Sequence, residues 1–158
     1  MSALQQDERL AASVVVRATP EQVHAIVSDI TRIREWSPET VRSAWTGEGR
    51  FASWNRRRLA LWKTPARVTS VVPGREFAFV VEVPGGQDWT EWTYRTDPGP
   101  EPGTTLLTEE FRMCKTLPFA ARAYEFLFLF VRDRRADLQA NLQTGVERIR
   151  DLAEAGGT

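Results

Sequence analysis

Glu109 combines a reactive side chain with apolar neighbours. It lies in an alternating segment whose period of two places it on one face with Phe111 and Met113, so we expect its side chain to point inward. A carboxyl group in apolar surroundings has a raised pKa and suits general acid or base catalysis. The alternative is a structural carboxylate that pairs with an arginine at the rim of a cavity. Glu109 is therefore a catalytic candidate.

Tyr94 is the second catalytic candidate, because alternation places it on one face with Thr90 and Trp92. Asp88 continues the same set towards the N-terminus. A phenol and a carboxylate can hold an acyl or polyphenol group by hydrogen bonds. Equally, Tyr94 can bury its ring and bond to the backbone.

The chain has a single histidine, His24, and a single cysteine, Cys114. One imidazole excludes metal sites that need two, and one thiol excludes an internal disulfide or a cysteine-based zinc knuckle. We expect His24 at the surface or boundary of a helix, and Cys114 as an inert core thiol. The sequence therefore predicts neither a metal nor a cofactor.

Length and charge narrow the class of protein. A chain of 158 residues fits one domain, which we expect to span residues 1–158. Basic and acidic residues balance at 21 each, whereas nucleic-acid binders usually carry a basic excess, so we expect no nucleic-acid partner. The N-terminus does not resemble a signal peptide, and no apolar run is long enough for a transmembrane segment. These features predict a cytoplasmic protein.

The hydrophobic period divides the chain into a helical region, a run of strands and a second helical region. Thr19-Pro20-Glu21-Gln22 is typical of a helix start with a capping box, and a second short helix is predicted over Thr31–Glu35. A long amphipathic helix is predicted near the C-terminus, with Asn141 on its polar face. Pro65 indicates an edge strand or a bulge. The predicted strands, whose short connections are typical of an antiparallel meander, are Arg9–Arg17, Thr40–Thr46, Arg50–Arg57, Leu59–Val72, Glu76–Val83, Trp89–Thr96 and Thr104–Lys115.

Three further features have two or more interpretations. The six tryptophans suit either a thick core or a pocket for a ring-bearing ligand. Arg56-Arg57-Arg58 is either an anion-binding patch or a solvated hairpin tip. Tyr124–Val131 is apolar on nearly all sides, so we expect a lid over a cavity, with a dimer contact and a membrane-interface segment as alternatives. The oligomeric state stays open between monomer and homodimer.

The order of elements, with one strand, two short helices, six strands and a long helix, resembles the START-like or SRPBCC superfamily. More closely, it is similar to the bacterial polyketide cyclase/dehydrase and lipid-transport branch. The resemblance implies an α+β helix-grip fold, in which a bent antiparallel sheet of about seven strands wraps around the C-terminal helix and encloses a deep apolar cavity. It rests on VVVRATPEQVHAIVSDITRIREWSPE (14–39), GRFASWNRR (49–57), VVPGREFAFVV (71–81), EWTYR (91–95) and GTTLLTEEF (103–111).

The resemblance also places the inward strand faces towards the cavity. In aromatase/cyclase relatives, inner-face arginines hold the polyketide chain, whereas here Val68 and Val81 are inward and Arg67 and Glu82 outward. This departure favours a cavity that only binds. The strand Arg50–Arg57 stays unassigned, because both of its faces are mixed. The ligand-binding candidates are Trp36, Trp62, Phe77, Phe79, Val81, Thr90, Trp92, Tyr94, Leu107, Glu109 and Phe111, with Phe126 and Phe130 from the expected lid.

We therefore expect a protein that binds a hydrophobic, ring-containing small molecule, such as a polyketide, a lipid or an aromatic compound, as a carrier, sensor or lipid-handling protein. The alternative is a polyketide cyclase or dehydratase that uses Glu109 and Tyr94 as acid–base groups. A third interpretation is an interaction module related to chaperone activators, in which the cavity is vestigial.

Overall fold

The computed structural model describes residues 4–83, 85–115 and 133–156. Ten elements follow one another along the described chain: β1 (Arg9–Val16), α1 (Pro20–Val27), a 3₁₀ helix (Ile30–Glu35), β2 (Thr40–Gly47), β3 (Arg50–Arg57), β4 (Ala60–Val72), β5 (Glu76–Glu82), β6 (Asp88–Pro98), β7 (Thr105–Met113) and α2 (Arg134–Gly156). The segment Tyr124–Val131, for which a lid is predicted and which contains Phe126 and Phe130, lies outside the described residues.

The seven strands form one sheet in the order β1-β7-β6-β5-β4-β3-β2, and every neighbouring pair is antiparallel. Strands β2 to β7 are the predicted meander, and β1 adds to its far edge beside β7. The curled sheet with its C-terminal helix confirms the predicted helix-grip fold.

The predicted capping box begins α1. Gln22 donates its backbone N–H to the Thr19 hydroxyl (3.2 Å), and its side-chain oxygen accepts the Thr19 N–H (2.9 Å). His24 is expected at a surface or boundary but is buried. Its ring Nε2 lies 3.0 Å from the Glu76 carbonyl oxygen on β5, which gives this buried nitrogen a hydrogen-bond partner. This contact fixes α1 on the sheet.

Pro65 does not lie on an edge strand, since β4 is between β3 and β5. It nevertheless lies one residue outside the ladder with β5, which starts at the Ala66–Val81 pair. At this position β4 has only β3 as a neighbour, so the missing proline N–H removes no bond to β5. The bulge in β4 occurs further along, between Val68 and Ser70.

The helix α2 buries an apolar stripe against β1, β7 and α1. Leu138, Leu142, Val146 and Ile149 are buried at helical spacing. At the start of α2, Asp137 accepts two hydrogen bonds of 2.7 Å from the guanidinium of Arg57, at the end of β3. The same Arg57 donates to Glu39 at 3.1 Å, so one side chain joins β3, α2 and the segment before β2.

The outer face of the central strands is polar and paired. Glu82 lies there, as expected, and is buried between Arg50 and Arg67, each 3.3 Å away. Ala78 and Val80 are buried on the same face. Long arginine side chains cover such small residues with their methylene stems while their charged ends stay in water.

We expect Asp137→Ala to lower the free energy of unfolding by about 1–2 kcal/mol, because it removes two charge-assisted hydrogen bonds between β3 and α2. Urea denaturation measures the change. Asp151→Ala is the control, since the side chain of Asp151 is 69% exposed and pairs, among the described residues, with its neighbour Arg150; such exposed pairs are worth about 0.2–1 kcal/mol. Equal losses in both variants would show that the Arg57–Asp137 hydrogen bonds do not stabilise the contact between β3 and α2.

Candidate functional site

A pocket lies between the inner face of the sheet and the N-terminal half of α2. Because α2 packs on β1 and β7 at one side of the sheet and α1 lies mainly against β6, no helix among the described residues packs on the inner faces of β3 and β4. The cavity has a volume of about 130 Å³. Its apolar wall consists of Ile33, Trp62, Phe79, Val81, Trp89, Trp92, Phe111, Met113 and Leu138.

Aromatic rings in and behind this wall hold one another in place. Trp92 and Phe111 meet edge to face with their centroids 5.2 Å apart, and Phe79 meets Phe51 in the same way at 5.1 Å. Phe79 also stacks on Tyr94 at 6.5 Å. Such contacts add about 0.5–1.5 kcal/mol each to area burial, so they present fixed aromatic surfaces to a ligand.

The other end of the pocket is polar. Asn55 is buried there, donates to the Thr64 hydroxyl at 3.2 Å and accepts from the Thr40 hydroxyl at 3.0 Å. Because β3 presents Phe51, Ser53 and Asn55 to the inside, the unassigned strand now has a defined inner face. The polar lining consists of Ser37, Glu39, Thr40, Ser53, Asn55, Thr64, Arg134 and Asn141.

Three side chains form a buried hydrogen-bonded chain beside the aromatic wall. The Trp36 indole donates to the Tyr94 hydroxyl at 3.3 Å, and that hydroxyl donates to Glu109 Oε1 at 2.9 Å. Glu109 therefore pairs with a phenol rather than with an arginine, and Tyr94 bonds to side chains rather than to the backbone.

Burial controls the protonation of this pair. Loss of solvation raises the pKa of Glu109 from 4.5 to about 8, although the hydrogen bond from Tyr94 lowers it. Burial, and then the nearby Glu109 charge, raise the pKa of Tyr94 well above its usual 10. At neutral pH the carboxyl is mostly protonated, so the pocket wall contains no unpaired charge at this point.

Glycine at position 145 makes room for this carboxyl inside α2. A Cβ added at Gly145 would lie 2.5 Å from Glu109 Oε2, which is closer than side-chain atoms approach each other. The Oε2 atom is itself buried against this helix and has no hydrogen-bond partner among the described residues. A glycine inside a helix costs roughly 1 kcal/mol relative to alanine. The cost is offset here by the space that it leaves for the carboxyl.

The structure brings eight of the predicted site residues together at the pocket. Trp36, Phe77 and Leu107 are buried in the core but do not line the pocket. Phe126 and Phe130 belong to the segment outside the described residues. The eight that line the pocket are Trp62, Phe79, Val81, Thr90, Trp92, Tyr94, Glu109 and Phe111.

A bulge on β6 accounts for the wrong placement of Asp88, which is predicted to face inward. The register shifts between Val81 and Glu82, so Glu82 pairs with Asp88. Asp88 is therefore exposed and binds Arg67 at 2.8 Å, away from the pocket. Trp89, which simple alternation places outside, lines the pocket instead. No local sequence signal marks this shift.

Asn141 is predicted on the polar face of the long helix, but it lines the pocket. A polar residue on a helix can face either solvent or the polar part of a pocket. Hydrophobic periodicity alone does not distinguish the two, so it predicts that Asn141 faces solvent. Gly145, one turn further along, is the signal that could have identified this face, because an interior glycine indicates a close approach.

We expect Gly145→Ala to destabilise the protein, although alanine favours helix formation by roughly 1 kcal/mol elsewhere. The added methyl group would displace the Glu109 carboxyl, and thermal unfolding measures the loss. Gly156→Ala is the control, since nothing lies within 4 Å of its added Cβ. In the Glu109→Ala background we expect Gly145→Ala to become neutral or stabilising. A loss of equal size in both backgrounds would show that Glu109 is not what excludes the methyl group.

We also expect the stability to depend on the protonation of Glu109. The folded state holds this proton up to about pH 8 and the unfolded state releases it near 4.5, so stability falls as pH rises between these values, by about 1.4 kcal/mol per unit. In Glu109→Gln this contribution is absent. Urea denaturation of both proteins from pH 5 to 9 measures the difference. Parallel pH profiles would contradict the raised pKa.

No helix in the described ranges is long and apolar enough to cross a membrane.

Comparison with known proteins gives a family and several related folds. The family model described as polyketide cyclase / dehydrase and lipid transport matches residues 7–154. The chain is similar to an aromatase/cyclase from a Streptomyces species, at 14% identity and a TM-score of 0.69, with 96% of both chains covered. No curated protein matches it.

Two further solved structures share the fold. One is the solution structure of a Polyketide_cyc-like protein from Corynebacterium glutamicum, at 25% identity and a TM-score of 0.61, with 94% of this chain and 92% of that chain covered. The other is a START superfamily protein from Mycobacterium smegmatis, at 15% identity and a TM-score of 0.61, with 94% and 95% covered.

Proposed function

The chain belongs to the polyketide cyclase/dehydrase and lipid transport family, and we propose that its pocket binds a hydrophobic small molecule that carries a ring. The observation that supports this most strongly is the fixed aromatic wall of Phe79, Trp92 and Phe111, which lines the cavity. A flat apolar ring buries its faces against such a wall, and polar groups at the other end orient it.

The size of the cavity limits how much of the ligand it encloses. A volume of about 130 Å³ is close to the roughly 150 Å³ of an engineered apolar cavity that accepts benzene. One ring therefore fits against Trp92 and Phe111. A longer ligand would extend towards Asn55 and Thr64, whose hydroxyl and amide groups suit an oxygen-bearing substituent.

Binding is favoured over catalysis by the position of the buried carboxyl. A general acid or base must lie within hydrogen-bond reach of the proton that it transfers. Glu109 Oε1 already accepts from Tyr94, and Oε2 is buried against Gly145. Glu109 lines the pocket, but Oε1 is already engaged and Oε2 is buried, so the pair acts first as a neutral polar part of the wall.

We expect the protein to bind an uncharged fluorescent probe through one aromatic ring, and Trp92→Ala to weaken binding several-fold. Loss of one stacking partner costs about 1 kcal/mol beyond the lost area. Titration of the probe's fluorescence measures the dissociation constant. Trp54→Ala is the matched control, because this ring lies on the outer face between Arg42 and Lys63. If both variants bind like the wild type, Trp92 does not contribute to the site.

A polyketide cyclase or dehydratase is the second candidate, favoured by the 2.9 Å Tyr94–Glu109 contact and a carboxyl whose pKa, about 8, is near neutrality. Incubation with a poly-β-keto thioester, followed by chromatography, tests for a cyclised product. Glu109→Gln should then abolish turnover while probe binding persists. Absence of any cyclised product with the wild type, under conditions in which the probe binds, would leave binding as the function.

A further inference from the structure

The β3–β4 hairpin ends in an unusual turn. Its two tip residues are Arg58 and Leu59, between the last pair Arg57–Ala60. Arg58 has a φ of 53°, a left-handed conformation that glycine, asparagine or aspartate adopt more easily. Leu59 is 96% exposed, and Leu61 is 72% exposed. The hairpin therefore presents two leucines to the outside at its tip.

Cations surround these leucines on the outer face. The Trp54 ring lies between the guanidinium of Arg42, at 4.8 Å, and the ammonium of Lys63, at 5.1 Å. Arg56 is paired across the hairpin with Leu61 and is exposed. We call this surface the outer patch; it consists of Arg42, Trp54, Arg56, Leu59, Leu61 and Lys63.

The outer patch differs in charge pairing from the rest of the outer face. Towards β6 and β7, each arginine has a carboxylate partner: Arg67 with Asp88, Arg95 with Glu110, and Arg112 with Glu91. Across the described part of the chain, no carboxylate pairs with Arg42, Arg56 or Lys63. The whole chain has zero formal charge, whereas these three cations lie together on β2, β3 and β4.

The same strand connects the outer patch with the pocket. Leu61 and Lys63 point outward, while Trp62 and Thr64, which alternate with them, line the pocket. Arg57, between the two exposed arginines of the tip, turns inward to Asp137 and Glu39. The three consecutive arginines therefore divide between two roles, with only Arg56 and Arg58 directed outward.

We propose that the outer patch docks the protein on the surface of an anionic lipid bilayer, with Leu59 and Leu61 at the acyl boundary and the cations at the phosphates. Projecting apolar residues flanked by cations and an aromatic ring are typical of interfacial membrane contacts. A nucleic acid would use the cations but gains nothing from two projecting leucines. This inference does not depend on what the pocket binds.

Co-sedimentation with lipid vesicles tests it, using phosphatidylcholine alone and phosphatidylcholine with one-third phosphatidylglycerol. We expect the wild type to bind the anionic vesicles, with a Kd that rises with salt, and to bind the neutral ones at least tenfold more weakly. Leu59→Asp and Leu61→Asp should each weaken binding about tenfold or more. Arg56→Glu and Lys63→Glu should also each weaken binding to the anionic vesicles about tenfold or more.

The control is Val71→Asp, which adds the same charge at a 56% exposed position near the other end of β4 and should leave vesicle binding unchanged. Circular dichroism checks that each variant is folded, and probe binding without vesicles should stay at the wild-type value in Leu59→Asp.

Three results would overturn the proposal: no binding to anionic vesicles, equal loss in Val71→Asp, or loss only in the charge variants while the leucine variants bind normally. Tighter binding to a nucleic-acid duplex than to the vesicles at the same salt would assign the cations to a different partner and would also overturn it.

Discussion

A seven-stranded sheet is too wide for one helix to cover. Six strand spacings of about 4.8 Å make a sheet roughly 29 Å across, whereas a helix with its side chains is about 10–12 Å in diameter. Here α2 packs on β1 and β7, and α1 lies mainly against β6, so in the described part of the chain no helix packs on the inner faces of β3 and β4. The sheet curls around α2 and leaves a space between. The pocket is a direct result of this difference in width.

Polar groups around that space are costly unless they are paired, because an unpaired buried polar group costs a few kcal/mol. Glu109 is paired at one oxygen: Tyr94 donates to Oε1, and burial keeps the carboxyl mostly protonated at neutral pH, whereas Oε2 has no hydrogen-bond partner among the described residues. Oε2 lies against α2, where a Cβ at position 145 would come within 2.5 Å of it and glycine leaves it room. The space that Glu109 needs on β7 therefore favours glycine at position 145 on α2, although the two residues are 36 positions apart in the sequence.

The sequence was informative wherever a feature depends on neighbouring residues. The capping box at Thr19, the strands and the inward face that carries Glu109 all follow from local pattern. The errors lie where distant parts of the chain meet. The bulge that turns Asp88 outward and Trp89 inward depends on pairing with β5, and the pocket-facing position of Asn141 depends on where α2 packs. Alternation and helical period describe single elements, so they do not contain this information.

The central claim is that a ring-bearing molecule occupies the space between the aromatic wall and α2. A crystal structure of the protein with the fluorescent probe bound tests it most directly. The account predicts electron density for the probe's ring system between Trp92, Phe111 and Leu138, beside an undisturbed Tyr94–Glu109 hydrogen bond. Density for the probe only on the outer surface of the sheet, with the space between the sheet and α2 filled by repacked side chains, would contradict it.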